Sequence, residues 1–241
     1  MERTNFAWLF AGLLLLVVLE ATPPTGGFAT AAALEGAFLA LLVLGVWSLR
    51  SFRGWFRVAL GLVALDLVAV ALYVRGGGLV WYLASGLCVL AFCVLCAALA
   101  TRFILADREI DWNHLMGASS VYLLLGVIWT VLFAIARLAD PNALANVSVA
   151  PGESGEVGEL LYFSFVTLTT LGYGDVTPVS PLARNLALLE AVFGQLFVAV
   201  LIASLIGRLA WASGAGANDS LLAAGSTSDP HPAAKKPARF R

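Results

Sequence analysis

The sequence predicts an all-α membrane protein with six transmembrane helices and one short re-entrant helix between the fifth and the sixth. The first observation is compositional: 61% of the 241 residues are apolar and only 12% are charged, whereas about a quarter of a soluble domain is charged. The second is that the apolar residues form six runs of near-spanning length. The third is a seventh apolar run, residues 157–169, which is too short to cross a bilayer and suits a helix that enters the membrane and stops.

The first four runs predict a transmembrane domain over residues 1–101. They lie at 6–20, 28–49, 58–74 and 79–101. The first run is short for a span and follows a basic residue, so a signal peptide is the alternative. The absence of a small-residue cleavage site favours a retained helix. Residues 102–114 mix charges with apolar residues, which predicts a short cytoplasmic linker helix along the membrane face.

Residues 115–211 predict a second unit. It contains the fifth run at 115–138, a loop at 139–156, the short helix at 157–169 and the sixth run at 183–211. Pro178 and Pro181 bring the chain back towards the sixth run. Residues 212–241 are dominated by Gly, Ser, Ala and Pro and predict a disordered cytoplasmic tail.

Basic residues predict how the chain is threaded. If the segment after residue 169 opens outside and both termini lie inside, eleven of the 14 Lys and Arg residues are cytoplasmic, as the positive-inside rule requires. This indicates a multi-pass protein of the cell membrane, plasma or inner, in contact with lipid. Acidic residues dominate the predicted outer side, where an anionic vestibule would concentrate cations: Glu20, Asp140, Glu153, Glu156, Glu159 and Asp175.

Several functional classes are disfavoured. The net charge of −1 gives no reason to expect a nucleic-acid partner. The pair Cys93 and Cys96 has the spacing of a redox or metal motif, but it lies in an apolar run without acidic or His neighbours, which favours plain helix residues. A membrane enzyme or carrier would have to use Glu35, Asp66 and Glu190, which are scattered along the chain. We therefore predict that the protein is not an enzyme.

The most informative stretch is Thr-Leu-Thr-Thr-Leu-Gly-Tyr-Gly-Asp at residues 167–175. Gly172 and Gly174 adopt positive φ without a Cβ penalty, and such a ribbon is able to aim successive carbonyls to one side. Rings of backbone carbonyls replace the hydration shell of K⁺ in channels. A surface turn is the alternative, but a turn requires neither apolar helices on both sides nor three threonines before it. The stretch resembles the selectivity filter of tetrameric potassium channels, and only Leu171 departs from the commoner valine.

The resemblance implies K⁺ as the permeant ion and no organic cofactor. One chain supplies one filter strand and the signature is not repeated, so the resemblance also implies a C4 homotetramer. The filter would comprise Thr170, Leu171, Gly172, Tyr173 and Gly174, with K⁺ bound at the first four. The resemblance further assigns support of the filter to Thr167, Thr169, Asp175 and Tyr162, with a hydrogen bond between Tyr162 and Asp175.

The sixth run carries the predicted gate. Gly194 lies 22 residues after Gly172, the spacing of the family's hinge glycine, and close packing against a neighbouring helix is the alternative. Val198, Ile202 and Ile206 follow at i, i+4 and i+8 and predict an apolar lining of the inner cavity that gates by dewetting.

Polar residues within the apolar runs predict two further contacts. Glu190 is expected to meet a hydroxyl of the short helix, at Ser164 or Thr167, because a polar side chain in the bilayer zone faces protein rather than lipid. Asp66 is a candidate partner of Arg102.

The function predicted from these residues is passive, K⁺-selective conduction. A non-conducting regulatory subunit is the alternative, and the intact filter motif argues against it. Residues 79–101 contain no Lys or Arg, so the fourth span lacks the charges of a voltage sensor. The residues leave the gating stimulus open between constitutive leak, protons, lipid and membrane tension.

Overall fold

The computed structural model describes residues 6–20, 53–76, 78–106, 112–153 and 155–226. Most of these residues are helical. Two strands of two residues each lie on either side of the fifth described helix. In chain order the elements are α1 (Phe6–Glu20), α2 (Arg53–Val74), α3 (Leu79–Ala106), α4 (Trp112–Ala139), β1 (Leu144–Ala145), α5 (Glu156–Leu168), β2 (Thr177–Pro178) and α6 (Pro181–Ser226).

Four of the described helices are long and apolar enough to cross a membrane. They are Gly54–Val74, Leu79–Arg102, Trp112–Ala139 and Pro181–Ser204, at the positions of the predicted third to sixth spans. Helix α1 has 15 residues and is therefore about 22 Å long. The predicted second span, 28–49, lies outside the described residues. The protein is a multi-pass membrane protein, and the number of six spans stays a prediction.

Two predicted boundaries differ from the structure. Residues 102–106 continue α3 instead of starting a separate linker helix, and residues 112–114 already belong to α4. Residues 79–106 contain no Pro, and their one Gly is Gly86, far from residue 101. The sequence therefore has no signal that would end the helix at residue 101. Likewise α6 continues to Ser226, so the first half of the predicted tail is helical; its alanines and leucines favour that conformation.

The two strands correct the prediction of a purely helical fold. Leu144 pairs with Pro178 and Ala145 with Thr177, in antiparallel register. The carbonyl of Ala143 also accepts the amides of Val179 and Ser180. The segments are too short for a hydrophobic alternation to predict them. Their effect is to join the loop before α5 to the segment that follows the Gly-Tyr-Gly-Asp stretch.

Helix α5 is held by a buried core on α4. Helices α1, α3 and α5 all pack on α4, and α2 packs on α3. One apolar cluster joins α1, α3, α4 and α5 and includes Leu13, Phe92, Leu124 and Leu161, each at most 3% exposed. A second cluster lies around α5 and the start of α6, where the rings of Phe133 and Phe163 meet edge to face at 4.9 Å.

The contacts establish which helix ends share a side. The amide of Phe6 donates to Asn113 at 2.9 Å, so α1 and α4 begin on one side. On the other side, where α4 ends at Ala139, the hydroxyl of Tyr73 at the end of α2 donates to the Gly152 carbonyl at 2.7 Å. That second side also carries the start of α5. Three basic residues also lie on this second side: Arg75 directly after α2, Arg137 in the last turn of α4 and Arg184 near the start of α6.

The chain divides into two compact units, Met1–Leu201 and Ile202–Arg241. The first contains α1 to α5, both strands and most of the apolar part of α6. In the second, the described residues are the C-terminal part of α6, from Ile202 to Ser226.

Candidate functional site

The Gly-Tyr-Gly-Asp stretch begins at the C-terminal end of α5 and is tied to it by main-chain hydrogen bonds. The amides of Leu171 and Gly172 both donate to the Val166 carbonyl, at 2.9 and 3.2 Å, and the amide of Thr170 donates to the Thr167 carbonyl at 2.9 Å. The last carbonyls of a helix have no partner within the helix. Here the next residues supply their partners, so the stretch starts at a fixed place and direction.

Left-handed conformation alternates along the stretch. The φ angles of Thr170, Gly172 and Gly174 are 59°, 60° and 78°, while Leu171 and Tyr173 are not left-handed. Carbonyls of an ordinary strand point alternately to opposite sides, and reversing φ at every second residue turns them to one side. The positive φ of both glycines is as the sequence predicted. That of Thr170 was not foreseen, because a β-branched residue is unfavourable in this region.

The carbonyls of this ribbon are not used in hydrogen bonds within the described part of the chain. In the described part of the chain, the carbonyls of residues 170–174 accept no hydrogen bond from the main chain or from a side chain. Leu171 and Tyr173 are 55% and 66% exposed. Oxygen atoms that lack a partner and share one side form a surface able to bind a dehydrated cation.

Side chains fix the C-terminal end of the ribbon. The hydroxyl of Tyr162 donates to the Asp175 carboxylate at 2.6 Å, the contact that the resemblance implied. The Asn146 amide donates to the Asp175 carbonyl at 2.7 Å. The hydrogen bond from Tyr162 lowers the pKa of Asp175 below its ordinary value, and the same bond raises the pKa of Tyr162 to about 12. Asn146 was missed, although its left-handed φ of 63° is typical of Asn in a tight turn.

Polar contacts also fix the N-terminal end of the ribbon. The hydroxyl of Thr169 donates to the Phe165 carbonyl at 2.6 Å, and the side-chain amide of Gln195 donates to the Thr170 hydroxyl at 3.3 Å. Thr167 is half-buried and contributes its carbonyl to the turn. The ribbon is therefore bonded to α5 and α6 near its start and to the β1 loop near its end.

A buried ion pair anchors the N-terminal end of α5. Arg137 Nη1 lies 2.7 Å from Glu156 Oε1, and both side chains are at most 4% exposed. Glu156 also accepts from the Tyr82 hydroxyl at 2.9 Å and from the Gly152 amide at 2.6 Å. The sequence placed Glu156 in an exposed vestibule, and this was wrong, because the carboxylate is buried against Arg137. The signal that was available is an arginine at the end of an apolar run.

The two polar contacts predicted within the membrane had different outcomes. Ser164 contacts Glu190, with 2.5 Å between the hydroxyl and carboxyl oxygens, as predicted. Asp66 instead accepts a hydrogen bond from Ser85 at 2.6 Å. Arg102 lies 17 residues after Ser85 in α3, roughly 25 Å along the helix. The predicted pairing of Asp66 with Arg102 is therefore wrong.

Gly194 lies at a close approach between helices. A Cβ at Gly194 would overlap the Leu168 carbonyl oxygen and lie 3.0 Å from the Leu168 side chain. Helix α6 continues through this position without a break. The structure therefore favours close packing over a hinge. Val198, Ile202 and Ile206 are exposed, and their lining of a cavity stays a prediction.

Comparison with known proteins shows which proteins this part of the chain is similar to. Residues 121–210 match the family model described as ion channel. The chain is 39% identical over 80 residues to the inward rectifier potassium channel Kirbac3.1 of Paramagnetospirillum magnetotacticum, covering 33% of this chain and 25% of that protein. It is 36% identical over 85 residues to the two pore potassium channel c of Oryza sativa subsp. japonica, covering 33% and 19%.

The matching segment contains α5, the ribbon and most of α6. This segment of the chain is similar to potassium channels. A further relative, protein LctB of Bacillus caldotenax, is 30% identical over 95 residues, which are 39% of this chain and 63% of LctB. The chain thus spans less than two thirds of the length of each of these relatives. No solved structure is significantly similar to it.

By similarity to potassium channels, we name α5 the pore helix, residues 170–174 the filter strand and α6 the inner helix, after the roles proposed for them. We use these names below. The matches are to ion channels, which are not enzymes.

Proposed function

We propose that the chain is one of four identical subunits of a channel that conducts K⁺ passively across the cell membrane and excludes Na⁺. The observation that carries the proposal is the alternation of left-handed conformation at Thr170, Gly172 and Gly174. It aims the carbonyls of the filter strand to one side and leaves them without a partner in the described residues.

The ligands for K⁺ in this proposal are the carbonyl oxygens of residues 170–173, with the Thr170 hydroxyl at the inner end. Four chains around one axis turn each carbonyl into a ring of oxygens, and these rings replace the water lost by the ion. The pore helix adds a favourable field. Its C-terminal end, at Leu168, carries about half a negative charge, and Glu156 and Glu159 lie in its first turn.

The surface of the single chain supports a homotetramer. Within Trp112–Ala139, 50% of an apolar 18-residue segment is buried, whereas only 11% of the corresponding segment within Pro181–Ser204 is buried. The filter residue Tyr173 is 66% exposed although it is aromatic. A filter strand on its own surrounds no ion, so the site is incomplete without further copies of the chain.

The direction of the chain across the membrane follows from charge. We place the filter mouth outside, and both termini in the cytoplasm. Arg75, Arg137 and Arg184 then form the outer set, and the other eleven basic residues lie inside, in agreement with the positive-inside rule.

The experiment is ion flux into liposomes that contain the purified protein. We expect K⁺ uptake and strong exclusion of Na⁺. Gly172→Ala should abolish the flux, because alanine at a φ of 60° is strained and displaces the ligands. Gly76→Ala is the matched control: Gly76 also has positive φ, 87°, with nothing within 4 Å, but it lies in the turn between α2 and α3. Gly76→Ala should keep the flux.

Equal flux of K⁺ and Na⁺ would contradict the proposed selectivity. Tetramers that pass neither ion would favour the alternative of a non-conducting regulatory subunit.

A further inference from the structure

Glu190 of the inner helix is buried at a point where three helices meet. Its side chain is 0% exposed. One carboxyl oxygen, Oε1, lies 2.5 Å from the Ser164 hydroxyl of the pore helix. The same hydroxyl lies 2.8 Å from the Gly126 carbonyl of α4. The Ser164 oxygen therefore has two oxygen neighbours at hydrogen-bond distance.

Counting hydrogens decides how these contacts are made. A serine hydroxyl carries one hydrogen, and a backbone carbonyl carries none. If Ser164 donates to Gly126, the hydrogen between Ser164 and Glu190 must come from the carboxyl group. If Glu190 were ionised, two acceptor oxygens would compete for a single hydrogen. The neutral acid satisfies both contacts, since its O–H donates to Ser164.

The second carboxyl oxygen supports the same assignment. Glu190 Oε2 is buried and has no hydrogen-bond partner in the described structure. In an ionised carboxylate this oxygen would carry about half of the negative charge, and burying such a charge without a partner is very unfavourable. In a neutral acid it is an ordinary carbonyl oxygen.

The charged groups of the packed helices do not compensate Glu190. On α4, Arg137 is paired with Glu156, the Tyr122 hydroxyl contacts the Leu168 carbonyl at 3.3 Å, and His114 lies twelve residues before Gly126, roughly 18 Å along the helix. On the pore helix, Glu159 contacts Ser148 and Tyr162 contacts Asp175. On the inner helix, Arg184 donates to the Pro178 carbonyl.

We infer that Glu190 is held as the neutral acid and positions the pore helix by donating a hydrogen bond to Ser164. Its contact lies one helical turn from the packing of Gly194 on Leu168, because 164 and 168, and likewise 190 and 194, are four residues apart. Two adjacent contacts thus set the position of the inner helix along the pore helix. The filter strand begins two residues after Leu168, so this register also sets the height of Thr170.

The first test is spectroscopic and needs no flux. The infrared difference spectrum between the full-length wild type and Glu190→Gln should show the loss of the carbonyl stretch of a protonated carboxylic acid. Loss of carboxylate bands instead would overturn the inference. This arm is independent of the proposed function.

The second test rests on the proposed function and uses the K⁺ over Na⁺ flux ratio. Gln donates to Ser164 as the neutral acid does, so Glu190→Gln should stay near the wild-type ratio. Ser164→Ala leaves the carboxyl O–H and the Gly126 carbonyl without their partner, and should lower the ratio about tenfold, which corresponds to about 1.4 kcal/mol. Ser120→Ala is the control, because within the described residues that buried hydroxyl donates to the Met116 carbonyl of its own helix, and it should leave the ratio unchanged.

If Glu190→Gln lowered the ratio as much as Ser164→Ala, the positioning role would be overturned. A wild type without flux that still shows the protonated-acid band would contradict the proposed function alone.

Discussion

Thr170 combines an unfavourable backbone conformation with two oxygen groups of the proposed site. A non-glycine residue in the left-handed region costs about 1–2 kcal/mol, and glycine at this position would avoid that cost. Glycine, however, would remove the hydroxyl that accepts from Gln195 at 3.3 Å. The strain is therefore explained by the proposed site, where Thr170 contributes a hydroxyl as well as a carbonyl.

Tyr162 is the side chain on which the C-terminal end of the filter strand depends most directly. Tyr162→Phe removes its hydrogen bond to Asp175 and should weaken K⁺ over Na⁺ selectivity. The folded pKa of Asp175 is lowered, so the stabilisation from this bond is present above the ordinary Asp value of about 3.9 and is lost as pH falls through the lowered value. Protonation of Asp175 should therefore block the wild-type current only when the pH falls to the lowered pKa. In Tyr162→Phe the pKa of Asp175 is closer to its ordinary value, so this block by acid should begin at higher pH.

The measurement is single-channel current during external acidification. Tyr73→Phe provides the matched control, since it removes a tyrosine hydrogen bond, to Gly152, on the same side of the protein. The prediction fails if both variants shift the acid block equally.

Substitution of Gly194 distinguishes close packing of α6 on Leu168 from bending of α6 at this position. We expect Gly194→Ala to lower the free energy of unfolding by about 1–3 kcal/mol, the usual effect of overpacking, because its Cβ would overlap Leu168. Gly61→Ala, in α2, has nothing within 4 Å and should be neutral or slightly stabilising. Thermal unfolding in detergent measures both. A Gly194→Ala protein as stable as Gly61→Ala but with altered open probability would restore the hinge.

At the scale of elements, the pore helix is held at both ends by polar groups. Its start is bonded to α3 and α4 through Tyr82, Arg137 and Glu156, and its end passes directly into the filter. The helices α3 and α4 therefore contact the pore helix through hydrogen bonds as well as through apolar packing. A movement of α3 at Tyr82 would act on the first turn of the pore helix.

Breaking the ion pair from one side should be severe. Arg137→Gln leaves Glu156 buried without a counter-charge and should cost about 3–5 kcal/mol. Arg137→Gln combined with Glu156→Gln removes both charges and should recover much of that loss. Arg75→Gln, an exposed arginine on the same side, is the control. Unfolding of the detergent-solubilised protein is the measurement, and a single variant as stable as the double variant would contradict the prediction.

Local pattern predicted the elements well where one physical property determined them. The short run at 157–169 differs from α5 by one residue at each end, because it is an apolar stretch bounded by loop residues and by the filter glycines. The contacts of Glu156 and Asn146 were not predictable in this way, since they join residues that are distant in sequence. The same holds for Thr170, where the filter geometry overrides the local preference of a β-branched residue.

At the scale of the whole molecule, the exposed face of the inner helix supports assembly. Leu188, Val192 and Leu196 recur at four-residue spacing, and each is at least 46% exposed in the single chain. We predict that native mass measurement in detergent will give four chains as the conducting species. A monomer or dimer that conducts would exclude the proposed filter, because fewer than four strands leave gaps in each oxygen ring.

The last prediction is that opening depends only weakly on voltage. Moving one charge through the membrane potential contributes about 2.3 kcal/mol per 100 mV, so steep voltage dependence needs several mobile charges per tetramer. The stretch of α3 from 79 to 101 contains no Lys or Arg. Asp66 of α2 is 4% exposed and bonded to Ser85, which holds it in place instead of letting it move through the field.

Single-channel recording in planar bilayers provides the measurement. The open probability of the wild type should change little between about −100 and +100 mV. Each charge that crossed the membrane would contribute about 2.3 kcal/mol for each of the two 100 mV steps in this range. Asp66→Asn should leave the curve of open probability against voltage unchanged. A steep curve that Asp66→Asn flattens would identify Asp66 as a gating charge. A steep curve that persists in Asp66→Asn would place the charges elsewhere; either result contradicts the prediction, because both require a charged group that moves on opening.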